Sequence, residues 1–285
     1  MSTRTIRAQH EAFRDDIGDL VTRRPVPNPR LPQVDPFLFL NHHGPQTYAP
    51  NNNGLPFGPH PHRGFETVTF ILDGELGHYD SGGHESVIRA GGVQWMTAGS
   101  GLIHAELSPP AFKRDGGPME ILQLWVNLPA RLKFTKPAYV GLQRADIPAL
   151  EIAQGATLNL IAGAHRHARG PVETLSGHFM ATLALKAGAR VTLPAPRERA
   201  VFFYVVRGAL NVSGQDVGKW RLVEFADDAD EIAIEAREDA FVLFGHGAPL
   251  NEPVFAHGPF VMNTREEIVQ AINDYQAGKF GPSPM

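Results

Sequence analysis

GLPFGPHPHRGFETVTFILDGEL (54–76) is the stretch on which the fold turns. Its second half, FETVTFILDGEL (65–76), is dense in β-branched and aromatic residues and closes on an Asp-Gly pair, the pattern of a strand running into a tight turn. His60 and His62 stand two apart at its start, so in an extended chain their side chains share a face. Glu66 keeps the same parity, and Val68, Phe70 and Leu72 follow it, which marks that face as the interior.

Strands of the same style recur in ESVIRAGGVQWMTAG (85–99), MEILQLWVNLP (119–129), MATLALKAGARVTLPAP (180–196), VFFYVVRGALNV (201–212) and DAFVLFG (239–245). Short strands separated by frequent turn signals predict an all-β sandwich or barrel. The 29 glycines and 24 prolines follow no collagen-like period and fit many tight turns. One helix is clear at the C-terminus, where Thr264 and Glu267 form a capping-box pattern and Ile268, Ala271, Ile272 and Tyr275 mark one face. Gly278 is its stop.

The chain also repeats itself. His60 to Leu76 resembles Pro194 to Leu210, each running from a turn through an apolar strand to a glycine, Gly74 or Gly208. Aligning those glycines sets Pro194 and Pro196 where the first copy has His60 and His62. Two related β domains are therefore expected, residues 1–135 and 136–285, joined near residues 130–145 around the polar LPARLKFTKP stretch, with the terminal helix on the second.

A second chemical stretch is GSGLIHAELSP (99–109), in which His104 and Glu106 again stand two apart after a glycine-rich turn. Two adjacent antiparallel strands would bring His60, His62, His104 and a carboxylate to a common point, and neutral imidazoles so placed suit a metal ion. Spacing leaves open whether that carboxylate is Glu66 or Glu106. His165 and His167 have polar, loop-like flanks and are assigned no site; His42 and His43 point to opposite faces and read as packing; His84 reads as an exposed hairpin tip.

Composition narrows the remaining choices. The formal charge is 26 − 30 = −4 with dispersed basic residues, which argues against direct nucleic-acid binding. The absence of cysteine rules out disulfides and thiolate ligands. The polar start MSTRTIRAQHEAFRDD and the lack of any long apolar run predict no secretory signal, no membrane span and a cytoplasmic monomer.

The order G-x5-H-x-H-x3-E from Gly54 to Glu66 resembles the first cupin motif, with seven residues instead of the usual six before Gly74. The second cupin motif is matched by Gly101 and His104, with Gly99 in place of its usual proline. HPHRGFETVT, QWMTAGSGLIHAE and the late HGPFVMNTREEI resemble the pirin family over nearly the whole chain. That resemblance implies a bicupin of two jelly-roll-like barrels with ligands in the first only. It also implies Glu106, not Glu66, as the fourth ligand beside His60, His62 and His104, and favours iron over manganese, nickel, copper or zinc. The activity it implies is quercetin 2,3-dioxygenase chemistry, in which a flavonol and O2 react with release of CO and Glu106 takes the hydroxyl proton. Phe57, Phe65 and Trp95 are candidates to line the pocket. The alternative is an iron-dependent redox-sensing regulator that binds protein partners without catalysis.

Overall fold

A computed structural model describes residues 2–285. Its elements are overwhelmingly strands, with two α-helices among the described residues, Pro110–Asp115 and Arg265–Gln276. The chain forms two compact units. One holds residues Arg14–Arg23, Leu38–Ala145 and Leu250–Met285; the other holds the residues up to Phe13, Arg24–Phe37 and Asp146–Pro249.

This division differs from a single cut between 135 and 136, and strand pairing gives the reason. The N-terminal strand Ile6–Glu11 pairs with Arg221–Phe225 at the edge of the second barrel's large sheet. The corresponding edge of the first barrel is filled by Ala138–Leu142, paired with Val93–Thr97. The terminal helix also lies with the first barrel, not the second. Its buried Ile268 and Ala271 cluster with Phe260, Met262 and Phe280, against which Ile103 of the first barrel packs. The capping box on Thr264 and Glu267 is present.

In the first barrel a four-stranded sheet runs Phe57–His62, Leu102–Leu107, Glu75–Asp80, Glu85–Arg89. A larger sheet contains, in order, Ala138–Leu142, Val93–Thr97, Phe65–Asp73, Gly117–Asn127 and Phe37–Tyr48. Leu76 and Ile88 from the small sheet meet Ile71, Met119 and Ile121 from the large one in a common core. Residues 65 to 71 are buried on both faces of their strand, so alternation alone could not tell which face looks into the barrel.

The second barrel repeats this plan with Arg190–Pro194, Glu231–Ala236, Ala209–Val212 and Gln215–Gly218 as its small sheet. Gly74 and Gly208 both take left-handed backbone, at φ 84° and 82°, between consecutive strands. Each is preceded by the same bulge: Ile71 and Asp73 face Ile121 and Glu120, as Val205 and Arg207 face Val242 and Phe241. The ladders correct the sequence alignment by one residue. His60 lies opposite His104, and Leu193 lies opposite Ile232. Leu193 and Ala195, not Pro194 and Pro196, therefore occupy the places of His60 and His62. One additional residue lies between Leu193 and Gly208 than between His60 and Gly74, which alignment on the glycines hides.

Candidate metal centre

Three histidines converge inside the first barrel. The strands Phe57–His62 and Leu102–Leu107 pair antiparallel with His60 opposite His104 and Leu102 opposite His62. The rings of His60 and His104 are 4.4 Å apart between centroids, those of His60 and His62 4.8 Å, and those of His62 and His104 5.0 Å. One nitrogen from each ring lies within 4.8 Å of the others. That spacing could hold a single metal ion.

The remaining ring nitrogens support this geometry. His60 Nδ1 lies 2.8 Å from the Gly58 carbonyl oxygen and His62 Nδ1 3.2 Å from that of Pro259. Donation from Nδ1 leaves each Nε2 with a free lone pair, the tautomer a metal ligand needs. His104 is buried, and neither of its nitrogens has a hydrogen-bond partner. A buried polar group left unpaired costs about 1–3 kcal/mol, so this imidazole fits a site completed by a cation. Burial and the neighbouring His60 push the His62 pKa down to about 3. Burial, with His62, His60 and His78 close by, holds His104 well below the ordinary value. Burial thus disfavours the charged form of both rings.

Glu106 lies two residues beyond His104 but is not one of the three groups that converge within 4.8 Å. Thr69 Oγ1 donates to its Oε1 at 2.8 Å, and the Gln123 amide donates to Oε2. Opposite it in the ladder stands His78, whose ring stacks on Tyr139 at 3.9 Å. Burial pushes the Tyr139 hydroxyl up to about 12.

Glu66 is turned away, against the parity expectation. Arg63 and Gly64, the latter at φ 90°, interrupt the strand after His62, so alternation restarts at Phe65. Phe65 accordingly touches His62 with ring centroids 5.0 Å apart. Thr69 faces Glu106, and Glu66, of opposite parity, accepts from Thr97 Oγ1 at 2.6 Å. Burial raises the Glu66 pKa, opposed by hydrogen bonds from Thr97 and Trp95. Trp95 therefore belongs to the Glu66 side of the strand, while Phe57 packs on His43 at 5.2 Å.

The other histidines fall outside the group. His42 Nε2 pairs with Glu120 Oε1 at 2.7 Å and His43 Nδ1 with Thr22 Oγ1 at 2.8 Å, on opposite parities. His84 is exposed at a turn and bonds Asp80. His165 lies in a short hairpin, Ala164–His165 with Ala168–Arg169, and His167 in its turn. Neighbours that sequence reasoning did not single out are Thr69, Gln123, His78, Trp125, Tyr139 and Pro259. Only Gln123, polar within the apolar run MEILQLWVNLP, carried a visible signal.

No helix among the described residues is long and apolar enough to cross a membrane. Residues 19–126 match the Pirin family, and residues 180–281 match the Pirin C-terminal cupin domain. A Pseudomonas aeruginosa protein with the provisional name quercetin 2,3-dioxygenase is 41% identical over 248 residues, 87% of each chain. The human protein named Pirin is 36% identical over 269 residues, 91% of this chain and 87% of its own. A crystal structure of a quercetin 2,3-dioxygenase from Acinetobacter baumannii superposes with a TM-score of 0.93 at 37% identity, covering 100% of both chains. With matching domains in both barrels and relatives aligned over most of its length, the chain belongs to the pirin family and is an all-β bicupin.

Proposed function

We propose that this chain is a metal-dependent dioxygenase of the quercetin 2,3-dioxygenase type, with iron held by His60, His62, His104 and Glu106. The observation that carries this reading is His104, buried with both nitrogens unpaired at the meeting point of three imidazoles. Nitrogen–carboxylate donor sets with open positions suit non-haem iron oxygenases, although manganese, nickel, copper and zinc accept the same donors. The names carried by the Pseudomonas relative and the Acinetobacter structure support the choice of substrate class, a flavonol consumed with O2.

When bound, the ion would supply a Lewis acid that lowers the pKa of a flavonol hydroxyl. Glu106 would take that proton, and donation from Thr69 and Gln123 to its two oxygens supports this role by fixing their orientation. His60 and His62 present Nε2 because the Gly58 and Pro259 carbonyls occupy Nδ1. Trp125 contacts His62, Phe65 and Phe39 at ring distances of 5.5, 4.4 and 4.7 Å, an aromatic wall that excludes water and suits a planar ring system. The net reaction consumes one O2 and releases one CO for each flavonol ring opened.

The test is loss of quercetin absorbance together with CO release, using protein loaded anaerobically with Fe(II) and then exposed to O2. Turnover should exceed that of His60→Ala by orders of magnitude, and that variant also corrects for spontaneous flavonol oxidation. A wild-type rate no higher than that of His60→Ala, across several metals, would remove the enzyme reading. A regulatory role through protein partners would then lead, tested by pull-down with ferrous and ferric protein.

A further inference from the structure

Two of the three converging histidines are oriented through Nδ1, by different means. His60 is held by Gly58 on its own strand, whereas His62 is held by Pro259, 197 residues further along the chain. Pro259 leads into the strand Phe260–Met262, part of the C-terminal segment that follows the second barrel. The hydrogen bond that orients His62 is thus supplied by that segment.

The docking is built from buried, directed contacts beside the histidine strands. Lys133, buried, donates from Nζ to the Val261 carbonyl at 3.0 Å, to the Gly64 carbonyl at 2.8 Å and to Asn127 Oδ1 at 2.7 Å. One ammonium group therefore joins the turn immediately after His62 to the strand immediately after Pro259. Val261 N–H donates to the Arg63 carbonyl at 3.1 Å. A Cβ at Gly64 would come within 2.0 Å of the Val261 carbonyl oxygen, so only glycine permits this approach. Farther along, the Phe280 ring occupies the space where a Cβ on Gly101 would stand, 2.5 Å from the nearest ring atom. Gly101 lies on the turn that leads to His104.

We propose that the C-terminal segment from Pro259 to Phe280 is a clasp for the metal site, with the Pro259 carbonyl and Lys133 as positioning groups. Docked, it fixes the His62 tautomer and ring orientation. Undocked, it frees Nδ1 and lets the ring turn. Clasp docking and metal binding are therefore coupled, and the coupling is reciprocal. The metal favours the docked segment by the same factor by which docking favours the metal. This inference rests on the proposed metal site, and its test separates the two.

Cobalt(II) serves as the probe, because its visible absorption reports ligand geometry as well as occupancy. Full-length wild type, Lys133→Met, Phe280→Ala and His60→Ala would be titrated with cobalt(II), and amide exchange at Val261 followed with and without the ion. Removing an outer partner of a ligand costs about 10- to 100-fold in affinity. Lys133→Met and Phe280→Ala should each weaken cobalt binding by about tenfold or more, shift the absorption band and speed exchange at Val261. Cobalt should slow that exchange in wild type and leave it unchanged in His60→Ala. Circular dichroism identifies a variant that has simply unfolded, and Phe280→Ala, which removes none of the Lys133 hydrogen-bond partners, stands if Lys133→Met fails. If wild type takes up no cobalt, the metal-site reading fails and the clasp with it. If wild type binds cobalt, and both folded variants bind it equally with an unshifted band while Val261 opens, the clasp alone is wrong.

Discussion

The first barrel sets His78 opposite Glu106, while the second sets Val212 opposite Ile234 at the matching place after its glycine. The pattern continues inward. Thr69 and Gln123, which hold Glu106, correspond to Phe203 and Phe244, and His104 corresponds to Ile232. All five of these second-barrel residues belong to one apolar core. The two barrels thus share a left-handed glycine, a bulge and a ladder register, yet have opposite interiors. Turn chemistry and register fix the backbone, and the inward positions are then free to build either a packed core or a site. The polar interior is the costly choice, since each buried donor or acceptor must find a partner.

The most disruptive way to challenge this correspondence is to place a carboxylate in the second barrel. Ile234→Glu puts the counterpart of Glu106 among Phe203, Phe244 and Val212, with no hydroxyl or amide to meet it. An unpaired buried charge costs about 3–5 kcal/mol, so the urea midpoint should fall steeply. The converse exchange in the metal-free first barrel should cost little: His104→Leu removes an imidazole whose nitrogens have no partner, with stability within about 1 kcal/mol of wild type. If Ile234→Glu were as mild as His104→Leu, the two interiors would not differ as described.

Much of this was legible from residue order. The HxH pair, the HxE pair and the glycine turns between apolar runs define the strands and the three histidines, because residues two apart on an extended strand such as Phe57–His62 share a face. It fails where a strand is covered on both faces. From Phe65 to Ile71 every side chain is buried, so the pattern carries no sign of which face holds the site, and the Arg63–Gly64 interruption reversed the parity of Glu66. Long-range partners were also hidden. Nothing near His62 in sequence points to Pro259, and the strand Ile6–Glu11 gives no local hint that it completes the second barrel.

Glu66 and Glu106 offer a finer test within the first barrel. Glu106→Gln should weaken metal binding by about tenfold or more, because its carboxylate faces the barrel interior beside His104. Glu66→Gln should leave affinity within about twofold of wild type, a change too small to matter against the tenfold effects expected of metal-site partners, since it bonds Thr97 at the other face of its strand. Competition against a chelator of known affinity reads both. A larger loss from Glu66→Gln would move the fourth ligand to the first motif and break the assignment of Glu106.

The smallest expected effect concerns a place where the second barrel is the more polar. Opposite Thr67 the first barrel has Trp125, and opposite the corresponding Val201 the second has His246. Arg199 Nε donates to His246 Nδ1 at 2.7 Å, which requires a neutral ring with its lone pair on that nitrogen. Burial first, and then the charges of Arg199 and Arg4, push its pKa down to about 3. In the unfolded chain an imidazole titrates near 6.5. Between those values the unfolded chain takes up a proton that the folded chain refuses, so stability falls as pH drops through the window and levels off below it. From pH 7 to 5.5 the loss is about 1 kcal/mol for this one group. His246→Gln leaves an amide oxygen able to accept from Arg199 but nothing to titrate, so its urea stability should lose about 1 kcal/mol less than wild type over the same interval. Equal losses in the two proteins would mean that Arg199 does not hold His246 neutral, and that the second barrel has no counterpart to the neutral imidazoles of the first.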